Sequence, residues 1–163
     1  MSLDSPLVSL MASSSQEKYD VFISFRGADV RLGFLSHLRK ELHNKQIDAY
    51  VDDKLERGDE ISPSLLTAIE ESLISLIIFS RDYASSKWCL EELVKIMECR
   101  DRRQQTVIPV FYHTDPSDVR HQKGSYANAF IQHDKDCNQK VHIWRSAMNK
   151  ATNLSGFHSS IYG

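Results

Sequence analysis

An aromatic ring and two carboxylates stand close together in the segment SSKWCLEEL, at the start of a predicted helix over residues 86–100. The helix follows an apolar run, LISLIIFS (residues 73–80), which is typical of a buried parallel strand. Open α/β sheets bind ligands just outside the carboxyl ends of their strands. The sequence therefore places the indole of Trp88, which could stack on a planar ligand, and an acid where a small molecule would bind.

The two carboxylates have different surroundings on that helix. Glu91 lies four residues before Lys95, the favourable order for a helical ion pair, so a surface pair is the simpler interpretation of Glu91. Glu92 shares a face with Trp88 and lies about 200° around the helix from the apolar stripe at Leu90, so we expect it to face away from the core. Glu92 is thus the candidate catalytic acid. A solvated first-turn glutamate and a packing role for the tryptophan remain open from the residues alone.

The composition is that of one soluble globular domain. The chain has 163 residues, of which 41% are apolar and 26% charged, enough for a single core. The net charge of -2 gives no broad electrostatic attraction to nucleic acid or membrane. No GxxxxGK[ST], GxGxxG or GxSxG motif is present. The cysteines are odd in number and form no CxxC pair, which favours a reducing compartment over disulfides or zinc: Cys89, Cys99 and Cys137.

Strand-like and helical segments alternate along the chain. Strands are predicted over residues 19–25, 47–51, 73–80, 106–112 and 157–160. Helices are predicted over residues 30–43, 62–72, 86–100, 126–134 and 141–154, with polar loops at 52–61 and 113–124. This alternation predicts an α/β fold with a mainly parallel sheet, helices on both faces and a flavodoxin-like strand order.

Several local signals refine these boundaries. Asp29 is a plausible N-cap of the first helix, and Ser62 followed by Pro63 marks the start of the second. Pro109 in the fourth strand cannot donate a ladder hydrogen bond, so we expect a local irregularity there. Residues 1–18 are rich in serine and are expected to be disordered.

Four segments in this order resemble the plant TIR (Toll/interleukin-1 receptor-like) domain: YDVFISFRGADVR, DDKLERGDEISPSL, YASSKWCLEEL and VIPVFYHTDPSDVR. The resemblance covers residues 19 to about 160. It implies a TIR domain over residues 19–163, with a flavodoxin-like three-layer fold and a five-stranded parallel sheet. The chain stops at Gly163, so the family's final helix is expected to be missing. In plants this domain is usually the N-terminal signalling module of intracellular immune receptors.

The resemblance also implies an activity. Plant members cleave NAD+ and NADP+ at the nicotinamide glycosidic bond, as NAD+ glycohydrolases or ADP-ribosyl cyclases, giving nicotinamide with ADP-ribose or cyclic ADP-ribose variants. The family's catalytic glutamate, four residues after the motif tryptophan, matches Glu92. Nicotinamide leaves from a cationic ring and needs no proton, so one carboxylate could stabilise the oxocarbenium-like transition state or trap it covalently. The dinucleotide is the substrate, and no bound cofactor or metal is expected.

Three segments are implied to form the nucleotide pocket. The first segment, residues 25–31, carries cationic side chains that suit pyrophosphate or ribose oxygens. Phe25 of this segment and Trp88 of the third, residues 86–89, resemble the aromatic walls of the pocket. The second segment, residues 54–58, belongs to the family's mobile BB loop, which in the family also contacts a neighbouring subunit. A helix-entry turn with surface arginines, and a plain turn glycine in the BB loop, are the simpler alternatives. The implied residues are Phe25, Arg26, Gly27, Ala28, Asp29, Val30 and Arg31; Lys54, Leu55, Arg57 and Gly58; and Ser86, Trp88 and Cys89.

Self-association is the last implication. Ser36 and His37 match a pair that packs symmetrically between two plant TIR domains, and Gly124 resembles a glycine of a second surface. The implied partners are further copies and other TIR domains, in the cytoplasm and also the nucleus, without nucleic acid or membrane. Ala28 and Val30 replace an acid and a hydroxyl of the usual FRGEDTR segment. These two departures keep open the alternative of a non-catalytic TIR–TIR scaffold in defence signalling.

Overall fold

Five parallel strands form one sheet in the computed structural model, which describes residues 19–30, 33–51 and 61–158. Among these residues the spatial order is β2-β1-β3-β4-β5, the flavodoxin-like order that the alternation of elements predicts. Every neighbouring pair is parallel. The strands are β1 (Tyr19–Ser24), β2 (Ala49–Val51), β3 (Ser72–Phe79), β4 (Thr106–Phe111) and β5 (Phe157–His158).

The described helices connect these strands and cover both faces of the sheet. They are α1 (Gly27–Val30), α2 (Phe34–Asn44), α3 (Pro63–Glu70), α4 (Lys87–Arg103), α5 (Pro116–Arg120) and α6 (Ser125–Thr152), with a 3-10 turn at Tyr83–Ser85. None of the helices in this part of the chain is sufficiently long and apolar to span a bilayer.

Side chains that alternate along the central strands divide the core into two layers. Phe22 packs on one face of the sheet with residues of α3, α4 and α6, whereas Val21 and Ile23 pack on the other with Val30 of α1 and Leu35 of α2. Successive strand residues point to opposite faces, so a strand covered on both sides reads as a continuous apolar run. The predicted three-layer fold is therefore confirmed.

The predicted cap of α3 is confirmed, whereas the irregularity predicted inside β4 is not observed. Ser62 caps α3 as expected, because its hydroxyl accepts a hydrogen bond from the Leu65 N–H and Pro63 takes the first helical position. The predicted irregularity at Pro109 is absent from the β3–β4 ladder, whose register runs unbroken through the pair Ile77 and Pro109.

The last third of the described chain is more helical than predicted. A single helix of 28 residues, α6, replaces the two shorter ones, and α5 forms inside the predicted loop. The polar stretch DKDCNQK (residues 134–140) carries no apolar stripe, so it reads as a break. It holds no glycine or proline, however, and the helix continues through it, helped by the i,i+4 hydrogen bond from Gln132 to Asp136.

Some predictions fall on residues outside the described ranges. These are the N-terminal segment 1–18, Arg31, the loop at 52–60 with its four pocket residues, and the end of the last predicted strand at 159–160.

Candidate active site

The candidate site lies where β1 and β3 end side by side. The two strands are parallel neighbours with Ser24 opposite Ile77, so the segments that follow them leave the sheet at the same edge. Phe25 and Arg26 follow β1, and the loop that leads to α4 follows β3. The carboxyl edge of the sheet therefore brings the first and third motifs of the sequence together.

Glu92 is buried at this edge, with only 4% of its surface exposed. Its Oε1 accepts a hydrogen bond of 2.7 Å from the Ser24 hydroxyl at the end of β1. The prediction that Glu92 faces away from the core is wrong, because α4 is buried over a wide arc that includes Cys89 and Ile96, three residues before it and four after it. Those two apolar neighbours on its own face were the signal in the sequence.

A chain of buried hydroxyls extends from the carboxylate. The Ser24 Oγ lies 2.8 Å from the Tyr83 Oη, which in turn donates to the Cys89 carbonyl at 3.1 Å. Burial, with the neighbouring Cys89 and Glu92 as further causes, raises the pKa of Tyr83 well above its ordinary value. The phenol therefore stays a hydrogen-bond donor at neutral pH. Neither Ser24 nor Tyr83 was among the predicted site residues, although both lie in motif segments.

The first turn of α4 is fixed by its cap. Ser86 is buried, and its hydroxyl accepts from the Cys89 N–H at 3.1 Å. The Cys89 thiol donates to the Phe25 carbonyl at 3.4 Å, which ties the helix to the end of β1. Trp88 is half-buried against the core, and its Nε1 has no hydrogen-bond partner among the described residues. Phe25, Ser86, Cys89 and Glu92 are thus brought to one place.

Asp29 joins the segment after β1 to the loop after β3. Its Oδ2 accepts hydrogen bonds from the Ser80 hydroxyl at 2.6 Å and the Asp82 N–H at 2.9 Å. Its Oδ1 accepts from Arg26 at 2.9 Å. Asp29 lies inside α1, so its predicted role as an N-cap of the next helix is wrong. A carboxylate can serve several donors at once, which suits a link between loops better than a cap.

The other described residues of the FRGADVR segment lie in two environments. Val30 is buried in the apolar layer beneath α2 and does not reach the carboxylate side of the sheet. Gly27 is half-buried in α1. Arg26 keeps about a third of its side chain exposed while it pairs with Asp29. Among the described residues of this segment, Arg26 is therefore the cation that a ligand can reach.

Glu91 faces a different partner from the one predicted. It pairs with Lys140 of α6 at 2.8 Å, whereas Lys95 pairs with Glu70 of α3. The expected Glu91–Lys95 pair is therefore wrong, because tertiary neighbours compete with the i,i+4 contact. Glu91 belongs to the α4–α6 surface, and the two adjacent carboxylates of the motif are separated.

The predicted self-association residues lie on the surface. Ser36 and His37 are exposed on α2. Gly124 precedes α6 with φ of 62°, a left-handed conformation that favours glycine. Among the described residues, no group of three His, Cys, Asp or Glu side chains could hold a metal ion.

Comparison with known proteins agrees with this architecture. A family model described as TIR domain matches residues 18–162. The chain is 53% identical over 149 residues to TMV resistance protein N of Nicotiana glutinosa and 51% identical over 140 residues to Disease resistance protein RPV1 of Vitis rotundifolia. The matches cover 89% and 86% of this chain but only 13% and 10% of those proteins.

A solved structure gives the same result in three dimensions. The TIR domains of the activated Roq1 resistosome, which directly recognises the pathogen effector XopQ, superpose with a TM-score of 0.81 at 48% identity. The match covers 87% of this chain and 88% of that one. The family model, the curated relatives and the solved structure agree, and the chain belongs to the TIR domain family.

Proposed function

We propose that this chain cleaves NAD+ and NADP+ at the nicotinamide glycosidic bond in plant defence signalling. The observation that carries the proposal is the buried carboxylate of Glu92 at the carboxyl edge of the sheet, held by the hydroxyl of Ser24. Ligands of open α/β sheets bind at this edge. The similarity to curated disease resistance proteins supports the physiological setting.

The reaction needs little from the protein besides this carboxylate. When the bond between the ribose C1′ and the nicotinamide nitrogen breaks, its electron pair neutralises the pyridinium ring, so the leaving group takes up no proton. The ribose is left as an oxocarbenium-like cation, which the charge of Glu92 stabilises or captures. Attack by water at C1′ gives ADP-ribose and a proton, and attack by an adenine nitrogen of the same molecule gives a cyclic product.

Arg26 is the described cation best placed for the dinucleotide. It lies just after β1, keeps part of its guanidinium exposed and is held by Asp29. A guanidinium suits pyrophosphate oxygens because it offers several N–H donors in one plane. The four BB-loop residues, Lys54, Leu55, Arg57 and Gly58, complete the proposed pocket when copies associate.

Association of several copies is proposed as the activating step. The matching Roq1 TIR domains come from an activated resistosome, and Ser36 and His37 are exposed on α2 of this chain. Cys89 and Cys99 are buried cysteines in the thiol form, which fits a reducing compartment, so we place the protein in the cytoplasm or nucleus.

The decisive experiment compares Glu92→Gln with Glu91→Gln in concentrated protein. Nicotinamide release from NAD+ is followed by chromatography. We expect Glu92→Gln to abolish release and Glu91→Gln to retain it, because Glu91 pairs with Lys140 on the surface between α4 and α6. Equal release from wild type and Glu92→Gln would refute the proposal.

Ser36 and His37, which are exposed on α2, favour a second candidate function, a non-catalytic scaffold that signals through TIR–TIR contacts. A plant defence assay separates the two. The scaffold predicts that Ser36→Ala with His37→Ala silences signalling while Glu92→Gln signals normally. The enzyme predicts that both changes silence it.

A further inference from the structure

Three buried contacts connect Glu92 to the first turn of its own helix through two hydroxyl groups. Glu92 Oε1 lies 2.7 Å from Ser24 Oγ, which lies 2.8 Å from Tyr83 Oη, which lies 3.1 Å from the Cys89 carbonyl oxygen. Ser24 and Tyr83 are fully buried. Bulk water therefore cannot replace either partner.

The number of hydrogens sets the direction of these bonds. An ionised carboxylate and a carbonyl oxygen only accept, and each hydroxyl has one hydrogen to donate. The Ser24 hydrogen therefore goes to Glu92, and the Tyr83 hydrogen is shared between the Ser24 oxygen and the Cys89 carbonyl. A hydroxyl that accepts a hydrogen bond donates more strongly, so Tyr83 reinforces the bond that Ser24 makes to the carboxylate.

We propose that Ser24 and Tyr83 are positioning residues, which keep Glu92 ionised and aim it at the reacting sugar. The proposal rests on the proposed function. A hydrogen bond to a charged acceptor is about twice as strong as one between neutral groups, so Ser24 favours the carboxylate over the acid. It also restricts a flexible glutamate to one orientation, which matters because a displacement of about 1 Å can cost roughly 100-fold in rate.

Both residues lie on rigid parts of the fold. Ser24 ends β1, which pairs with β2 and β3 on its two sides. The turn that carries Tyr83 is held by α6, since the Tyr126 hydroxyl donates to the Ser80 carbonyl and the His133 Nε2 donates to the Ala84 carbonyl, each at 2.6 Å. A positioning group acts well only when it is itself fixed.

Several titratable side chains surround these hydroxyls in the described part of the structure. Cys89, Glu92 and Tyr126 act on the pKa of Tyr83, and Cys89, Asp29 and Asp82 act on the pKa of Tyr126. Burial keeps both phenols protonated at neutral pH by raising the pKa of each. Of the two titratable side chains that contact Ser24 within the described ranges, Tyr83 keeps its proton at neutral pH, so a titration near neutral or acidic pH that depends on Ser24 is assigned to Glu92.

The test measures the pH dependence of kcat and KM for Ser24→Ala and Tyr83→Phe. We expect kcat to fall roughly 10- to 100-fold in Ser24→Ala and roughly two- to tenfold in Tyr83→Phe, with KM nearly unchanged. The acid limb of the Ser24→Ala profile should move to higher pH, because loss of the donor raises the pKa of the carboxyl it served. A change that only weakened folding would leave this limb in place.

Two variants are matched controls. Ser75→Ala removes another buried serine hydroxyl from the sheet, and Thr152→Val removes a buried hydroxyl that donates to the Met148 carbonyl, but neither group bonds to Glu92. We expect both to keep the acid limb of the wild type. If Ser24→Ala keeps the wild-type kcat and acid limb while the wild type cleaves NAD+, the positioning proposal is overturned and the proposed function stands.

A measurement without turnover separates the two failures. The 13C signal of the Glu92 carboxyl, assigned with Glu92→Gln, is titrated by NMR in wild type and Ser24→Ala. If no NAD+ is cleaved by associated wild-type protein, the proposed function fails. The hydrogen-bond role of Ser24 is then supported by a higher carboxyl pKa in Ser24→Ala and overturned by an unchanged one.

Discussion

The Ser24 hydroxyl donates a 2.7 Å hydrogen bond to the carboxylate of Glu92, across 68 positions of the sequence. The bond joins the last residue of the first strand to the helix after the third strand. A buried carboxylate is tolerated only when it is hydrogen-bonded, so the end of β1 decides what a side chain of α4 can do. The contact exists because β1 and β3 are neighbours in the sheet although they are distant in the chain.

Asp29 makes a second connection at the same edge, and Asp29→Asn should loosen it. An asparagine keeps one acceptor oxygen, so its amide must face either Arg26 or the two donors from Ser80 and Asp82. The Asp29 side chain is only 13% exposed, so we expect the free energy of unfolding to fall by about 1.5–3 kcal/mol in urea titrations.

The control for this change is Asp101→Asn. Asp101 pairs with Arg100 at 3.7 Å on an exposed surface, and such pairs contribute roughly 0–1 kcal/mol. Equal stability losses in Asp101→Asn and Asp29→Asn would contradict the linking role of Asp29.

Alkaline pH should destabilise the fold through two buried tyrosines. Burial raises the pKa of Tyr83 and Tyr126 above the ordinary value of about 10, so both phenols keep their protons in the folded state. Above about pH 10 the unfolded chain loses those protons first. The free energy of unfolding should then decrease by up to about 1.4 kcal/mol per pH unit for each tyrosine.

Tyr126→Phe tests this sign. The variant loses the hydrogen bond to the Ser80 carbonyl, so it should be less stable than wild type at pH 7 by about 1 kcal/mol. Its stability should nevertheless decline less steeply above pH 10, as measured by urea unfolding at several pH values. Thr152→Val also loses a buried hydroxyl hydrogen bond but removes no titrating group, so its slope should match wild type. A slope unchanged in Tyr126→Phe would contradict the assignment.

The elements that the sequence predicts well are those whose signals are local. The apolar runs of β1, β3 and β4 and the cap at Ser62 each depend on a few adjacent residues. The errors at the site arise where distant partners decide. The carboxylate of Glu92 bonds to Ser24, Glu91 pairs with Lys140 instead of Lys95, and Asp29 serves the loop after β3 instead of a helix end. Helical periodicity carries no information about these partners.

The start of β5 depends on a glycine, and Gly156→Ala should detach that edge of the sheet. An added Cβ would lie 2.1 Å from the Pro109 carbonyl oxygen and 2.7 Å from its Cγ. A backbone atom and a proline ring cannot rotate away, so the chain must shift, at a cost of about 1–3 kcal/mol. Hydrogen exchange should show the effect as faster exchange of the amides of β5.

Ser155→Ala provides the control, since Ser155 is the exposed residue directly before Gly156 and its change to alanine adds no atom near Pro109. We expect it to change stability by less than about 1 kcal/mol and to leave exchange in β5 as in wild type. If Gly156→Ala behaves in the same way, the close approach to Pro109 does not limit the sheet edge. If it alone frees β5, the pairing of β4 with β5 rests on the absence of a single methyl group.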